Sequence, residues 1–308
     1  MNKSIFKREH IGKLERKNLP WVYMFLLPCI LVFLFFYLWP ILTVMYTSFT
    51  IWNGFTAPIW LGSVEGGRFF DNFARLFTLP EFTISLRNLL LWSVIATTFH
   101  VGFGVLAALI FYKGPPGWKF TRAMFMIPNI ISVAAWALIY RYVFHDNFGL
   151  LNNIIRIFSP DFTANWFFAS PYAFWAITFT WVFYSVIVAL IVLSDLMAIP
   201  TELQEAARID GATGWGVTWR VNLPLCRFSI GTSIILSITA RITMYEAIWL
   251  TTRGGPGNDT MSLPIVLVRN LQNHNLGMAN AIAFVMLILG VAVMLIVRKS
   301  FRMEESVY

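Results

Sequence analysis

Apolar residues along this chain gather into runs too long for the face of a surface helix or for a strand. Six stand out, at about 21–46, 86–112, 120–144, 173–196, 228–250 and 280–297. A helix rising 1.5 Å per residue needs roughly 20 apolar residues to cross a bilayer core about 30 Å thick. No water satisfies backbone N–H and C=O groups in lipid, so the runs are expected to be helices. Tyr and Trp at several ends (Trp21, Tyr46, Tyr112, Trp118, Tyr172, Trp249) suit the membrane–water interface. The pattern predicts an all-α integral membrane protein with six transmembrane helices. It forms one membrane domain over 21–298, between a basic segment 1–20 and a short tail 299–308.

Composition agrees: 58% of the 308 residues are hydrophobic and only 12% are charged. Soluble domains carry roughly a quarter charged residues. The net charge of +8 changes the picture only through its placement. With the N-terminus inside, fifteen Lys/Arg fall on inner segments, and five (Arg68, Arg75, Arg156, Arg253, Arg269) fall on outer loops. Arg87, Arg141 and Arg241 lie in or at the ends of spans. This positive-inside bias predicts two cytoplasmic termini, and it makes the basic balance a signal of topology, with no nucleic-acid partner. The first run is longer than the core of a secretory signal and lacks a small-residue cleavage site, so it reads as a retained helix. Cys29 and Cys226 imply neither a disulfide nor a metal framework.

The inner loop 198–227 is the most informative connection. Thr201 with Gln204 has the capping-box spacing, after Pro200 as a boundary. Glu202 and Glu205 suit the positive end of a helix dipole. Gly211 suits a C-terminal stop, with a short second helix before Pro224. The expected product is a helix–turn–helix projecting from the membrane, with Ala206-Ala207 small enough for another surface to approach closely.

Glu205-Ala206-Ala207, then Gly211 three residues on, then Val221-Asn222-Leu223-Pro224 after nine more, resembles the EAA loop of ABC importer permeases. The resemblance implies a type I ABC importer permease fold, in which this loop is the coupling helix seated in a cleft of the ATPase subunit. Glu205, Ala206, Ala207, Asp210, Gly211, Leu223 and Pro224 would carry that contact. Phe125-Met126-Ile127-Pro128, Phe148-Gly149-Leu150-Leu151-Asn152 and Leu250-Thr251-Thr252-Arg253-Gly254-Gly255-Pro256 narrow the resemblance. They look like the carbohydrate-uptake branch, and within it the maltose- or lactose-type first permease, without that protein's large outer domain. Implied partners are a second permease subunit, two ABC ATPase subunits, an extracytoplasmic solute-binding protein and membrane lipid, in a bacterial inner membrane. No Gly-x4-Gly-Lys-Ser/Thr run is present to cradle phosphates. ATP and Mg therefore belong to the partner ATPase, this chain holds no cofactor, and it is not itself an enzyme.

Ionisable groups inside a membrane are expensive and mark function. Arg241 falls thirteen residues after Phe228, about 20 Å along a helix. By the resemblance, Ser237, Arg241 and Met244 occupy sugar-contacting positions on one helical face. An Arg there departs from the neutral polar residue that serves a neutral sugar, and its fork suits a carboxylate or phosphate. Two readings stay open: recognition of an acidic group on the substrate, or a structural ion pair with Glu246 or the partner permease. Trp181, Tyr184 and Tyr245 are candidates for stacking on sugar faces or forming a gate, against simple packing, and Glu246 is a candidate for a gate or a counter-charge to Arg241. Gly149, near His145 and Asp146, falls by resemblance near a further sugar-contacting segment, against an ordinary outer turn. His100 has no evident metal or acid–base partner and reads as an interhelical hydrogen bonder. Two other function classes remain: an ABC permease for a phosphate ester, oxyanion or amino acid, and an ATP-independent secondary transporter.

Overall fold

The structure, a computed structural model, describes residues 13–303, with side-chain surroundings from residue 20 onward. Helices dominate. They run α1 Lys13–Phe33, α2 Trp39–Thr47, α3 Asp71–Thr78, α4 Pro80–Ile95, α5 Val101–Lys113, α6 Trp118–Met126, α7 Val133–Val143, α8 Leu150–Arg156 and α9 Tyr172–Val182. They continue with α10 Val186–Ala198, α11 Thr201–Ile209, α12 Gly214–Val217, α13 Leu223–Leu225, α14 Arg227–Ile242, α15 Glu246–Trp249, α16 Leu263–Gln272 and α17 Leu276–Ser300. The strands among the described residues are a two-residue antiparallel pair, β1 Thr50–Ile51 and β2 Ile59–Trp60.

Four stretches among the described residues are long and apolar enough to cross a membrane: Pro20–Thr47, Pro80–Lys113, Tyr172–Ala198 (interrupted between α9 and α10) and Leu276–Ser300. Two bent pairs complete a six-span reading. Trp118–Ile130 meets Val133–Val143 at 103°, and Gly214–Leu225 meets Arg227–Ile242 at 67°. The third run is bent within its length, and the fifth is bent at its foot and interrupted again beyond α14. In the third, Pro128 lies within a tight 3₁₀ turn (Ile127–Ile130) and Ser132 caps the next helix, its hydroxyl accepting from the Ala135 N–H at 3.3 Å. A proline that cannot donate, followed by a good N-cap, favours a break over a continuous ladder. In the fifth, α14 stops at Ile242 and α15 starts at Glu246. The second span begins at Pro80, earlier than the apolar run, because its first turns are polar but helical.

Two apolar clusters hold the bundle. One joins the halves of the spans away from α11 through Phe82, Trp92, Ile177, Ile248, Leu263, Ile265 and Ile282. The other joins the halves nearer α11 through Val101, Ala108, Val188, Val192, Leu196 and Ile234. Polar ties fix the register: Trp92 Nε1 donates to Thr178 Oγ1 at 3.0 Å, and Asn280 Nδ2 to Thr47 Oγ1 at 2.7 Å. The first span stands apart, since no residue of its apolar window is buried. Its outward residues Phe25, Phe35, Phe36 and Trp39 are 75%, 69%, 73% and 68% exposed, which is tolerable only against lipid or another subunit.

Spans two and four meet at Gly104. A Cβ there would overlap the Val188 side chain and approach the Ser185 carbonyl oxygen at 3.2 Å. Small residues at such crossings let membrane helices pack backbone to backbone. Gly104→Leu is expected to destabilise the extracted protein by about 1–3 kcal/mol, the usual scale of overpacking. Adding Val188→Ala should recover part of that. Melting of the two variants in detergent checks it, and equal melting of Gly104→Leu and wild type would refute the close crossing.

Candidate functional site

The breaks in spans three, four and five converge on one cavity of about 530 Å³. Its walls include Pro128, Asn129, Trp136, Thr180, Trp181, Tyr184, Arg241, Met244, Tyr245 and Glu246. Each break frees backbone groups that lipid cannot satisfy, and side chains from neighbouring spans take them up. At the end of α9, His100 from span two places Nδ1 at 3.1 Å from the Trp181 carbonyl and 3.3 Å from that of Val182, so its hydrogen sits on Nδ1. Trp136 Nε1 donates to the Thr180 carbonyl at 3.0 Å. In span five, the Ser262 hydroxyl donates to the Met244 carbonyl at 3.0 Å. Interrupted helices are thus held open by specific cross-span bonds.

The lining is aromatic with a few polar tips. Trp136 and Tyr184 lie with ring centroids 5.5 Å apart, and the Tyr184 hydroxyl donates to Asn129 Oδ1 at 2.7 Å. Tyr245 stacks on Trp249 at 5.6 Å. The Arg241 guanidinium carbon sits 4.0 Å from the centroid of the Trp181 ring. Its one side-chain hydrogen-bond contact among the described residues is Nη1 to the Met244 sulfur at 3.5 Å. Arg241 Nε and Trp181 Nε1 are both buried without a partner. Apolar and aromatic walls with few convergent polar groups are the usual form of a small-molecule site.

Of the residues singled out for the pathway, Arg241, Met244, Tyr245, Glu246, Trp181 and Tyr184 come together on these walls. Two do not. Ser237 is buried (5% exposed) on α14 outside the lining. Gly149 is the cap residue before α8, where a Cβ would overlap the His145 backbone, so glycine serves a close-packed turn there. The single helical face proposed for Ser237, Arg241 and Met244 also needs correction, because Met244 lies in the break after α14. Asn129 and Trp136 went unnoticed. Phe125-Met126-Ile127-Pro128 pointed at the right place, but only the bend at Ser132 turns their side chains into the cavity.

The second feature is the inner loop. Helix α11 ends at Gly211, whose φ of +84° is the left-handed geometry glycine adopts freely, with its N–H bonded to the Arg208 carbonyl at 3.0 Å. The capping box does not form. Thr201 is already helical and Pro200 is the cap, so Gln204 is free to turn inward, where Nε2 donates to the Tyr112 hydroxyl at 2.8 Å. Gln204 is buried, whereas Glu202, Leu203, Glu205, Ala206, Ile209 and Asp210 are exposed and Ala207 is half-buried. Ile209 is 86% exposed, an apolar side chain presented to solvent at the tip of a loop. The second helix is not confined to the residues before Pro224. α12, a π-helical turn and α13 run on through Leu223 and Pro224, and Thr213 caps α12 by accepting from the Gly216 N–H at 3.3 Å.

Membrane spans interrupted around a shared cavity, with a helical loop projecting from one side, define a transport permease. The chain belongs to the family of binding-protein-dependent transport system inner membrane components, whose model matches residues 100–302. It is 29% identical over 301 residues to the multiple sugar-binding transport system permease protein MsmF of Streptococcus mutans, covering 96% of this chain and 99% of that one. It is 27% identical over 300 residues to the trehalose/maltose transport system permease protein MalF of Thermococcus litoralis, covering 95% and 98%. Its fold matches, with a TM-score of 0.78 and 21% identity, a chain in the crystal structure of a bacterial ABC transporter involved in the import of the acidic polysaccharide alginate. That match spans 96% of this chain and all of the other. The fold is therefore that of an ABC importer permease in a multi-pass membrane setting, and the chain is a transport component with no catalytic role.

Proposed function

We propose that this chain is one permease subunit of an ATP-driven importer for a sugar or oligosaccharide, working by alternating access with a second permease subunit. The aromatic cavity at the three helix breaks carries this reading. Flat, amphipathic rings with polar tips suit the apolar faces and hydroxyl rims of sugars, and interrupted helices permit the two halves of each span to move separately. The relatives named for sugars support the solute class, as does the carbohydrate-type pattern of Phe148 to Asn152 and Leu250 to Pro256.

In this reading an extracytoplasmic binding protein delivers the solute, and two ATPase subunits holding ATP and Mg close against the exposed face of α11. Glu205, Ala206, Ala207, Asp210 and Gly211 make that contact, and Leu223 and Pro224 shape the second helix behind it. The Lys and Arg of the N-terminal segment, of Lys113 to Arg122, of Arg208 to Arg227 and of the end of α17 support a cytoplasmic placement of both termini and of α11. Purification of the tagged chain in mild detergent tests the assembly. The expected result is co-recovery of an ATPase, a second permease and a binding protein whose bound ligand is a saccharide. Recovery of the chain alone, with ATP-independent transport in vesicles, would overturn it, as would a bound ligand that is not a sugar.

A further inference from the structure

We infer that the cavity recognises an acidic saccharide, and that Arg241 is the residue reading its negative group. This rests on the cavity being the solute site, as proposed above. Arg241 is fourteen residues into the membrane from the start of α14, roughly 20 Å along the helix. A guanidinium at that depth normally finds an acidic or carbonyl partner. Here the described residues supply none. Among the described residues no ion pair joins it to Glu246, although both line the cavity, and its contact to the Met244 sulfur is a weak one. The hydrogen on Nε is buried and unanswered.

The geometry is that of a held donor. Stacking at 4.0 Å on Trp181 fixes the guanidinium, and Trp181 is fixed in turn by His100 gripping its carbonyl. Such a cation keeps its charge and its N–H edge while losing the freedom that would otherwise be lost on binding. A planar, bidentate acceptor answers that edge best: the carboxylate of a uronate, or a phosphate or sulfonate ester oxygen pair on a sugar. Asn129, Tyr184 and Tyr245 on the facing walls supply the neutral hydrogen bonds and ring faces for the remainder of the sugar. Glu246, exposed at the same cavity, adds a negative charge to its wall and disfavours ligands with a second acidic group.

The test uses the intact importer complex in proteoliposomes. The ligand of the co-purified binding protein is identified by mass spectrometry, and its carboxyl-reduced or ester-cleaved form is prepared. Uptake of both forms is measured at saturating liganded binding protein, so that capture is not limiting. Wild type is expected to take up the charged form faster by roughly ten- to a hundredfold, the scale of one charge-assisted hydrogen bond. Arg241→Gln is expected to erase most of that preference, and Arg241→Lys to keep part of it. A neutral saccharide on the binding protein would overturn the inference and leave the sugar importer standing. A non-sugar ligand would overturn both. Equal uptake of the two forms by wild type, which needs no variant to fold, would also refute the role of Arg241. Loss of the second permease from Arg241→Gln together with that equal uptake would assign the guanidinium to the subunit interface.

Discussion

Ala206→Trp should leave the permease folded yet strip it of its ATPase and reduce ATP-driven uptake by more than tenfold. Ala206 is exposed on α11, beside Glu205 and Leu203, so an indole there meets no neighbour within the chain. Surface replacements of that kind usually change stability by less than about 0.5 kcal/mol. A partner surface that packs against a two-alanine patch would, however, have to move by the width of a ring. Co-purification of the ATPase and uptake in vesicles, measured alongside detergent melting, separate the outcomes. Unchanged ATPase recovery would mean that α11 docks by another face.

Asn152→Leu should have the largest effect on folding. Asn152 is fully buried, and its amide donates to the Asp146 and Ala164 carbonyls at 2.8 and 2.9 Å, with a longer contact to that of His145 at 3.4 Å. Its oxygen accepts from Trp166 Nε1 at 2.8 Å. A leucine matches the shape but leaves the Trp166 indole N–H and the Ala164 carbonyl without partners, each costing about 1–3 kcal/mol, while the Asp146 carbonyl keeps its bond from Arg156 Nη2 at 3.0 Å. A total near 3–5 kcal/mol should lower the melting temperature by roughly ten degrees. A shift within a degree or two would show that water enters the loop and replaces the amide.

This residue also shows what was legible from the chain alone. The pattern Phe148-Gly149-x-x-Asn152 stood out as a resemblance and was read toward the solute pathway through Gly149. In the structure Gly149 and Asn152 build the turn between α7 and α9. A motif reports that a position is constrained, and whether by substrate or by a buried hydrogen bond is decided in three dimensions. The spans were legible because bilayer thickness sets their length, and Gly211 because few residues accept its φ. The breaks after Ile242 and Val182 were not, since no proline or glycine marks them. They are held by His100, Trp136 and Ser262, residues distant in sequence. The same holds for Gln204, where a local capping pattern lost to a tertiary bond with Tyr112. Six of the eight pathway residues nonetheless meet at one cavity, because they cluster near the two interruptions that their own elements contain.

The Gln204–Tyr112 bond has a mechanical consequence. It fastens α11 to the foot of span two, while the chain itself fastens α11 to the feet of spans four and five. A push on α11 therefore arrives at three helices at once, and two of those are interrupted at the level of the cavity. Force applied at the foot reaches the interruption as a lever reaches its fulcrum. The inner segments can tilt while the outer segments, clamped in the first apolar cluster, stay in place.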